Sequence, residues 1–207
     1  MIDEGYIKYQ CYWSSEEAIA ESDITALNSW RDRLYQLGLI GVYDNGIGFG
    51  NLSRRLLDSE QLIISGTQTG GLSRLGAEHY TKVTDYSWQD NYVTCQGLIK
   101  ASSETLTHAA IYSALPQVNA VIHVHHQTLW THLLHRLPTT DPNCAYGTPE
   151  MATEIMRLCQ QPSTQERQII AMSGHESGIL SFGVDLDQAG EVLLKHFATI
   201  KPNKLTY

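Results

Sequence analysis

Short apolar segments of strand length alternate along this chain with segments of helical periodicity. Between Asp23 and Leu37, apolar residues recur at steps of three and four, which is the spacing of one buried helix face. The same criteria predict helices over 104–115, 129–135, 149–159 and 186–197, and strands over 62–64, 83–86, 92–95, 118–125, 168–173 and 178–183. Because helices alternate with strands that are close in sequence, the pattern predicts an α/β fold with a mixed sheet covered by helices.

The length and composition of the chain indicate one globular domain, residues 1–207. With 207 residues, 42% of them hydrophobic and 17% charged, the chain is able to bury a sizeable core. The net charge of −8 is spread without a basic block, which argues against nucleic acid or an anionic membrane as the main partner. The sequence shows neither a membrane-spanning segment nor a signal peptide, so we expect a cytoplasmic protein.

Two histidines on one predicted strand indicate a metal site. His123 and His125 are separated by one residue, so their imidazoles leave the same face of the strand with α-carbons about 6.5 to 7 Å apart. A catalytic zinc ion usually takes three protein ligands and keeps one position open. His175 is the best candidate for the third ligand, because it lies in a tight polar turn between two apolar segments. Glu176 is the alternative.

Glu104 follows Ser102 and Ser103 at the start of a predicted helix and admits two interpretations. It is either an ordinary first-turn acid favoured by the helix dipole or an acid/base group that faces the metal. In the second interpretation, the two serines and the free amides of the helix start hold an oxyanion. The remaining histidines near these motifs are expected to pack or to lie on the surface: His108, His126, His132 and His135.

Two polar loops have the composition of ligand-binding loops. The passage over 41–51 is rich in glycine, which allows backbone conformations closed to other residues, and it predicts a turn near a ligand. The loop over 65–71 follows a short apolar strand and consists of small polar residues and glycine. Such a loop suits an anion.

Six short motifs follow one another along the chain: Gly50-Asn51-Leu52-Ser53, Ser65-Gly66-Thr67, Ser102-Ser103-Glu104, His123-Val124-His125, Tyr146-Gly147-Thr148 and Gly174-His175-Glu176. In this order they resemble the class II aldolase/adducin family, over about residues 25–197. The resemblance implies a three-layer α/β/α fold with a central mixed, largely antiparallel sheet. It also implies a homotetramer with active sites at subunit interfaces.

The resemblance further implies roles for individual residues. His123, His125 and His175 match the zinc ligands of the family, and Glu104 matches its acid/base. The phosphate-binding positions of the sugar-phosphate members match Asn51, Ser65, Gly66, Ser102 and Ser103. Zinc, or another divalent metal, is therefore the expected cofactor, and a small molecule is the expected partner.

Two departures from the family pattern limit what carries over to this chain. The loop over 65–71 is longer than the usual threonine-proline-threonine-glycine form. The segment in which the fuculose-phosphate aldolases place a catalytic tyrosine is missing before Tyr146, so no residue is assigned to that role.

These features predict a metal-dependent lyase. The expected reaction is aldol cleavage of a small, sugar-phosphate-like hydroxy-carbonyl compound through a metal-stabilised enediolate, with Glu104 moving the proton. The same intermediate would serve a dehydratase, and a sugar-phosphate epimerase is a further possibility on this site. A non-catalytic, adducin-like binding protein is the alternative from another class.

Overall fold

The central feature of the fold is one large sheet. The computed structural model describes residues 5–56 and 59–200. The strands in these ranges are β1 (Gln10–Ser14), β2 (Gly41–Val42), β3 (Gly48–Phe49), β4 (Asn51–Arg55), β5 (Leu62–Ser65), β6 (Tyr80–Ser87), β7 (Tyr92–Gly97), β8 (Ala120–His125), β9 (Ile169–Ala171) and β10 (Gly178–Gly183). Eight of them form a sheet in the order β1-β7-β6-β5-β4-β8-β10-β9, while β2 and β3 form a separate hairpin. Only the β1/β7 pair among these strands is parallel.

Helices cover both faces of the sheet. The described helices are α1 (Glu21–Gln36), α2 (Thr105–Ala114), α3 (Gln127–Leu133), α4 (Pro149–Cys159), α5 (Pro162–Arg167) and α6 (Leu186–Phe197). One apolar core joins the sheet to α2 and α4, through residues such as Leu106 and Ile155. The other joins the opposite face to α1, α3 and α6, through residues such as Leu27 and Leu193. The predicted three-layer α/β/α fold with a mixed, largely antiparallel sheet is confirmed.

Local capping chemistry explains where helix α4 begins but not where α1 begins. Thr148 accepts a hydrogen bond from the Met151 amide at 3.3 Å and Pro149 takes the first turn, as the sequence predicts for α4. Helix α1 begins at Glu21, two residues before the predicted cap Asp23. Asp23 therefore lies in the first turn of the helix, and its carboxylate is paired with Arg54 of β4 and does not cap the helix.

Two strands of the sheet were absent from the sequence prediction. Strand β1 lies at the sheet edge, and its pairing partner β7 is far along the chain. Strand β4 follows the glycine-rich passage directly and carries Arg54 and Arg55, which obscure its apolar pattern. Their positions are set by contacts between distant segments, which local periodicity does not report.

Strand β8 lies between β4 and β10 and carries the two histidines His123 and His125. Val121 belongs to the core under α2 and α4, whereas Ile122 and Val124 belong to the opposite core. Because side chains alternate along a strand, His123 and His125 face the same side as Val121, towards α2. Across the described ranges, every helix falls short of the length and apolar character needed to span a membrane.

Candidate active site

Three histidines meet at one end of the central strands. The Nε2 atoms of His123 and His125 lie 3.0 Å apart. His175, in the turn between β9 and β10, brings its ring to within 5.1 Å of His123 and 4.6 Å of His125, measured between centroids. One ring nitrogen from each histidine lies within 4.8 Å of the other two, and all three side chains are buried.

Neighbouring groups orient each of the three rings. The Nδ1 of His123 donates to the carbonyl oxygen of Ile179 at 3.2 Å, which leaves the lone pair on Nε2 directed into the cluster. The Nδ1 of His125 lies 2.7 Å from the hydroxyl of Tyr43. The ring of His175 is stacked on Tyr146, with centroids 4.6 Å apart and planes 22° apart. The three donor atoms are therefore held by the surrounding fold.

The histidine cluster fits a divalent metal ion. Two ligands of a tetrahedral zinc ion with bonds of about 2.0 to 2.1 Å lie about 3.3 Å apart, close to the observed separation of the two Nε2 atoms. Burial, reinforced by His175, holds the pKa of both His123 and His125 well below the usual range. Neutral imidazoles are the form that binds metal, so these two ligands need not lose a proton first.

Glu104 places a carboxylate next to the cluster. It occupies the N-cap position of α2 and is only 2% exposed. Its Oε1 lies 3.7 Å from Nδ1 of His175. The interpretation as a solvent-facing first-turn acid therefore does not describe this residue, because its side chain is turned inwards.

A polar pocket opens beside Glu104. Its wall consists mainly of backbone and small side chains, contributed by 48–51, 66–70, 102–104 and Gly5. Asn51, which pairs in register with His123, has a buried Oδ1 that receives no hydrogen bond from the described residues. A ligand with a hydroxyl or amide donor would satisfy that atom.

The structure brings most of the predicted site residues to this pocket and places the others elsewhere. Asn51, Gly66, Ser102 and Ser103 line it. Ser65 does not line it: this residue is buried at the end of β5, where its hydroxyl accepts a hydrogen bond from the Leu52 amide at 3.2 Å.

The alternative ligand and the other histidines lie outside the cluster. Glu176 is exposed, next to the buried His175. His126 caps α3 by accepting a hydrogen bond from the Leu129 amide at 3.1 Å. His108 is buried on α2 with Nδ1 2.7 Å from the hydroxyl of Ser53, and burial lowers its pKa to about 3. The last two are exposed: His132 and His135.

Comparison with known proteins identifies the family. A family model described as the Class II Aldolase and Adducin N-terminal domain matches residues 34–196. The chain belongs to the class II aldolase and adducin family. A search of curated protein sequences gave no match.

Solved structures share the fold of this class II aldolase and adducin family member. YgbL of Escherichia coli matches with a TM-score of 0.64 at 21% identity, covering 86% of each chain. An L-fuculose 1-phosphate aldolase matches with a TM-score of 0.64 at 18% identity, covering 90% of this chain and 93% of its own. A sugar-phosphate aldolase from Thermotoga maritima matches with a TM-score of 0.58 at 17% identity, covering 87% and 97%. At these identities the likeness establishes the fold alone.

Sequence reasoning missed several residues that shape the site of this family member. Tyr43 contacts His125, although the passage over 41–51 had indicated a turn near a ligand. Tyr146 stacks on His175, and its ring also lies under the Lys8 ammonium, 3.8 Å from Nζ. The sequence marked Tyr146 only as part of a motif before a helix cap. Nothing in the local pattern around Lys8 signals its contact.

Removing the hydroxyl of Tyr43 should weaken metal binding without unfolding the protein. In Tyr43→Phe, Nδ1 of His125 loses the group 2.7 Å away that orients the ring. Loss of such an outer contact typically costs about 10- to 100-fold in metal affinity. The affinity is measured by competition for zinc with a chromophoric chelator, and Tyr12→Phe, at an exposed tyrosine of β1, is the control. Equal zinc affinity in the two variants would show that Tyr43 does not support the ligand.

Proposed function

We propose that this protein is a zinc-dependent lyase that cleaves the aldol bond of a small hydroxy-carbonyl compound carrying an anionic group. The observation that carries the proposal is the meeting of three buried imidazoles with Glu104 beside a polar pocket. His123, His125 and His175 would hold the ion. Three nitrogen ligands leave a coordination position for substrate, as in catalytic rather than structural zinc sites.

A bound divalent ion supplies Lewis-acid chemistry, because it polarises a carbonyl and stabilises negative charge on its oxygen. The protein supplies the proton transfer. Glu104 is buried at the pocket wall, so its carboxylate is positioned to take a proton from a substrate hydroxyl or carbon and return it later. Exclusion of bulk water around this carboxylate strengthens its electrostatic effect on a bound substrate.

The rest of the pocket suits the anionic end of a substrate. Ser102 and Ser103 precede the first turn of α2, where amides and the helix dipole favour negative charge. Asn51 and Gly66 line the same pocket. This donor-rich lining supports a phosphate or carboxylate as the group that fixes substrate orientation.

The buried histidines weigh against a purely structural role for the site. Burying several polar rings and a carboxylate together costs free energy unless a partner compensates. A scaffold protein of the adducin type would gain nothing from retaining this cluster.

A dehydratase or an epimerase would use the same ion and the same acid/base. The reaction products distinguish these two activities from aldol cleavage. The homotetramer and the cytoplasmic location remain predictions from the sequence.

The test is an aldol assay in the condensation direction with metal control. Purified protein is incubated with phosphorylated and unphosphorylated hydroxy ketones and a panel of short aldehydes, and products are identified by NMR. We expect carbon–carbon bond formation that is lost on chelation and restored by zinc. Products of water loss or stereochemical inversion alone would replace the aldolase assignment with the corresponding alternative. Turnover that is indifferent to chelation would contradict the metal-dependent mechanism.

A further inference from the structure

Two cysteine thiols lie in contact between the edge strand and its neighbour. The Sγ atoms of Cys11 on β1 and Cys95 on β7 are 3.9 Å apart. Cys95 is buried, whereas Cys11 is partly exposed at the edge of the sheet. Both side chains lie on the sheet face that packs against α2 and α4. The chain therefore holds two thiols close together, one of them within reach of a small reagent from solvent.

The contact makes one of the two thiols easy to ionise. A hydrogen bond from the Cys11 thiol outweighs burial and lowers the pKa of Cys95 to about 6, and the backbone of Ala101 acts in the same direction. Burial raises the pKa of the other two cysteines, Cys144 and Cys159. Because the thiolate is the nucleophilic form of cysteine, the pair is expected to react before the other two.

The segment that leads into β1 also contacts the start of α2 at the candidate active site. Tyr9 packs in the same core as Cys11, and its hydroxyl donates to the carbonyl oxygens of Ala101 at 3.1 Å and Ser102 at 2.9 Å. Ala101 forms an isolated bridge with Gly66, and both Gly66 and Ser102 line the pocket. The strand that holds one thiol of the pair is therefore connected through Tyr9 and Ala101 to the pocket wall.

Cys11 lies outside the part of the chain that matches the family model. That match covers residues 34–196, whereas β1 begins at Gln10. Among the described strands, β1 pairs with β7 alone, so it is a strand that precedes the matched region and extends its sheet. A property that depends on Cys11 is therefore a property of this chain and does not follow from the family match.

We propose that Cys11 and Cys95 form a reversible redox site, at which hydrogen peroxide joins the two sulfurs in a disulfide. The thiolate of the pair attacks one peroxide oxygen and the O–O bond breaks, which gives a sulfenic acid and, after protonation, water. The second thiol then attacks the sulfenic sulfur, and the hydroxyl group leaves as water. Two thiols and one peroxide give one disulfide and two waters, and the sulfurs lose the two electrons that the peroxide gains.

The disulfide holds the edge strand against its neighbour more firmly than the two thiols do. An S–S bond is about 2.05 Å long, so the sulfurs must approach each other from their present separation of 3.9 Å. The movement falls mainly on β1, because this strand has a neighbour on one side only and Cys95 lies in the core. The cross-link also closes the loop over 11–95, which opposes separation of β1 from β7.

The test maps disulfides in the purified, reduced protein after treatment with hydrogen peroxide. Free thiols are blocked with iodoacetamide, and the protein is digested without reduction and analysed by mass spectrometry. We expect one disulfide, between the peptides of Cys11 and Cys95, and its reversal by dithiothreitol. It should form at least about tenfold faster than Cys144 or Cys159 loses its free thiol, because their thiolate populations are smaller. Hydrogen exchange should show slower exchange of the β1 amides in the oxidised protein.

Serine variants test whether the two thiols act as a pair. Cys11→Ser should form no disulfide and should leave Cys95 as a sulfenic acid that dimedone traps. The control is Cys144→Ser, at another partly exposed cysteine, in which the disulfide should form at the wild-type rate. Cys11 is not fully buried, so its variant decides the question even where Cys95→Ser does not fold.

Three results would overturn the proposal: no disulfide in the oxidised wild type, a disulfide that involves Cys144 or Cys159 instead, or unchanged exchange of the β1 amides once the disulfide has formed. None of these measurements requires turnover or bound zinc. Failure of the redox site is therefore distinguishable from failure of the proposed lyase function.

Discussion

Replacing His175 with alanine should remove stoichiometric zinc from the purified protein. The substitution deletes one of three nitrogen donors that lie within 4.8 Å of one another. Loss of an outer-shell contact alone typically costs about 10- to 100-fold in metal affinity, so loss of a ligand should cost at least about 100-fold. Zinc is quantified by plasma mass spectrometry after dialysis against a weak chelator. Activity, where a substrate is available, should fall with the zinc content.

The neighbouring residue provides a matched control. Glu176→Ala changes an exposed side chain in the same turn and should leave one zinc per chain. Circular dichroism and thermal melting of both variants establish that the fold is retained. Full zinc occupancy in folded His175→Ala would show that His175 is not a zinc ligand, and the cluster would then lack its third donor.

Replacing Glu104 with glutamine should separate catalysis from metal binding. Glutamine keeps the shape of the side chain but does not accept a proton at neutral pH, so turnover should fall by the roughly 10² to 10⁴ typical of general acid/base catalysis. Zinc content should remain at the wild-type level, because the three histidines are untouched. The measurement is kcat at saturating substrate together with zinc content.

Another first-turn acid tests whether position on a helix is enough to produce this effect. Glu150 lies in the first turn of α4 but is exposed, so Glu150→Gln should leave turnover unchanged. Normal turnover in Glu104→Gln would mean that another group moves the proton. Loss of zinc in that variant would mean that Glu104 contributes to the metal site itself.

Local periodicity was sufficient to predict the parts of the site that lie on one element. The alternation of side chains along a strand places His123 and His125 on one face, and the structure has them there on β8. The cap formed by Thr148 and Pro149 depends only on neighbouring residues and was also predicted. The polar turn around His175 offers no core to fill and so indicates a ligand, and in the structure this turn brings His175 to the other two rings.

Contacts between distant segments were beyond the reach of this reasoning. Tyr43 reaches His125 across 82 positions, and its approach depends on how the β2–β3 hairpin lies beside the sheet. Lys8 reaches Tyr146 in the same way, through the placement of the chain that leads into the edge strand β1. Both contacts follow from the packing of whole elements against one another, so the periodicity of the sequence does not predict them.

The burial of Arg31 was predictable from the sequence, but its hydrogen-bond partners were not. Arg31 lies four residues after Leu27, on the face of α1 whose apolar spacing predicted burial. A charge on that face was a signal that the sequence contained, since a buried arginine requires acceptors. Which acceptors these are became visible only when the loop over 65–71 was placed against the helix.

The most direct test of the metal centre is X-ray diffraction from zinc-loaded crystals, recorded on both sides of the zinc absorption edge. We expect one anomalous peak per chain, about 2.0 to 2.1 Å from a nitrogen of each of His123, His125 and His175. The absence of a peak between these rings, or a peak held by other residues, would contradict the account.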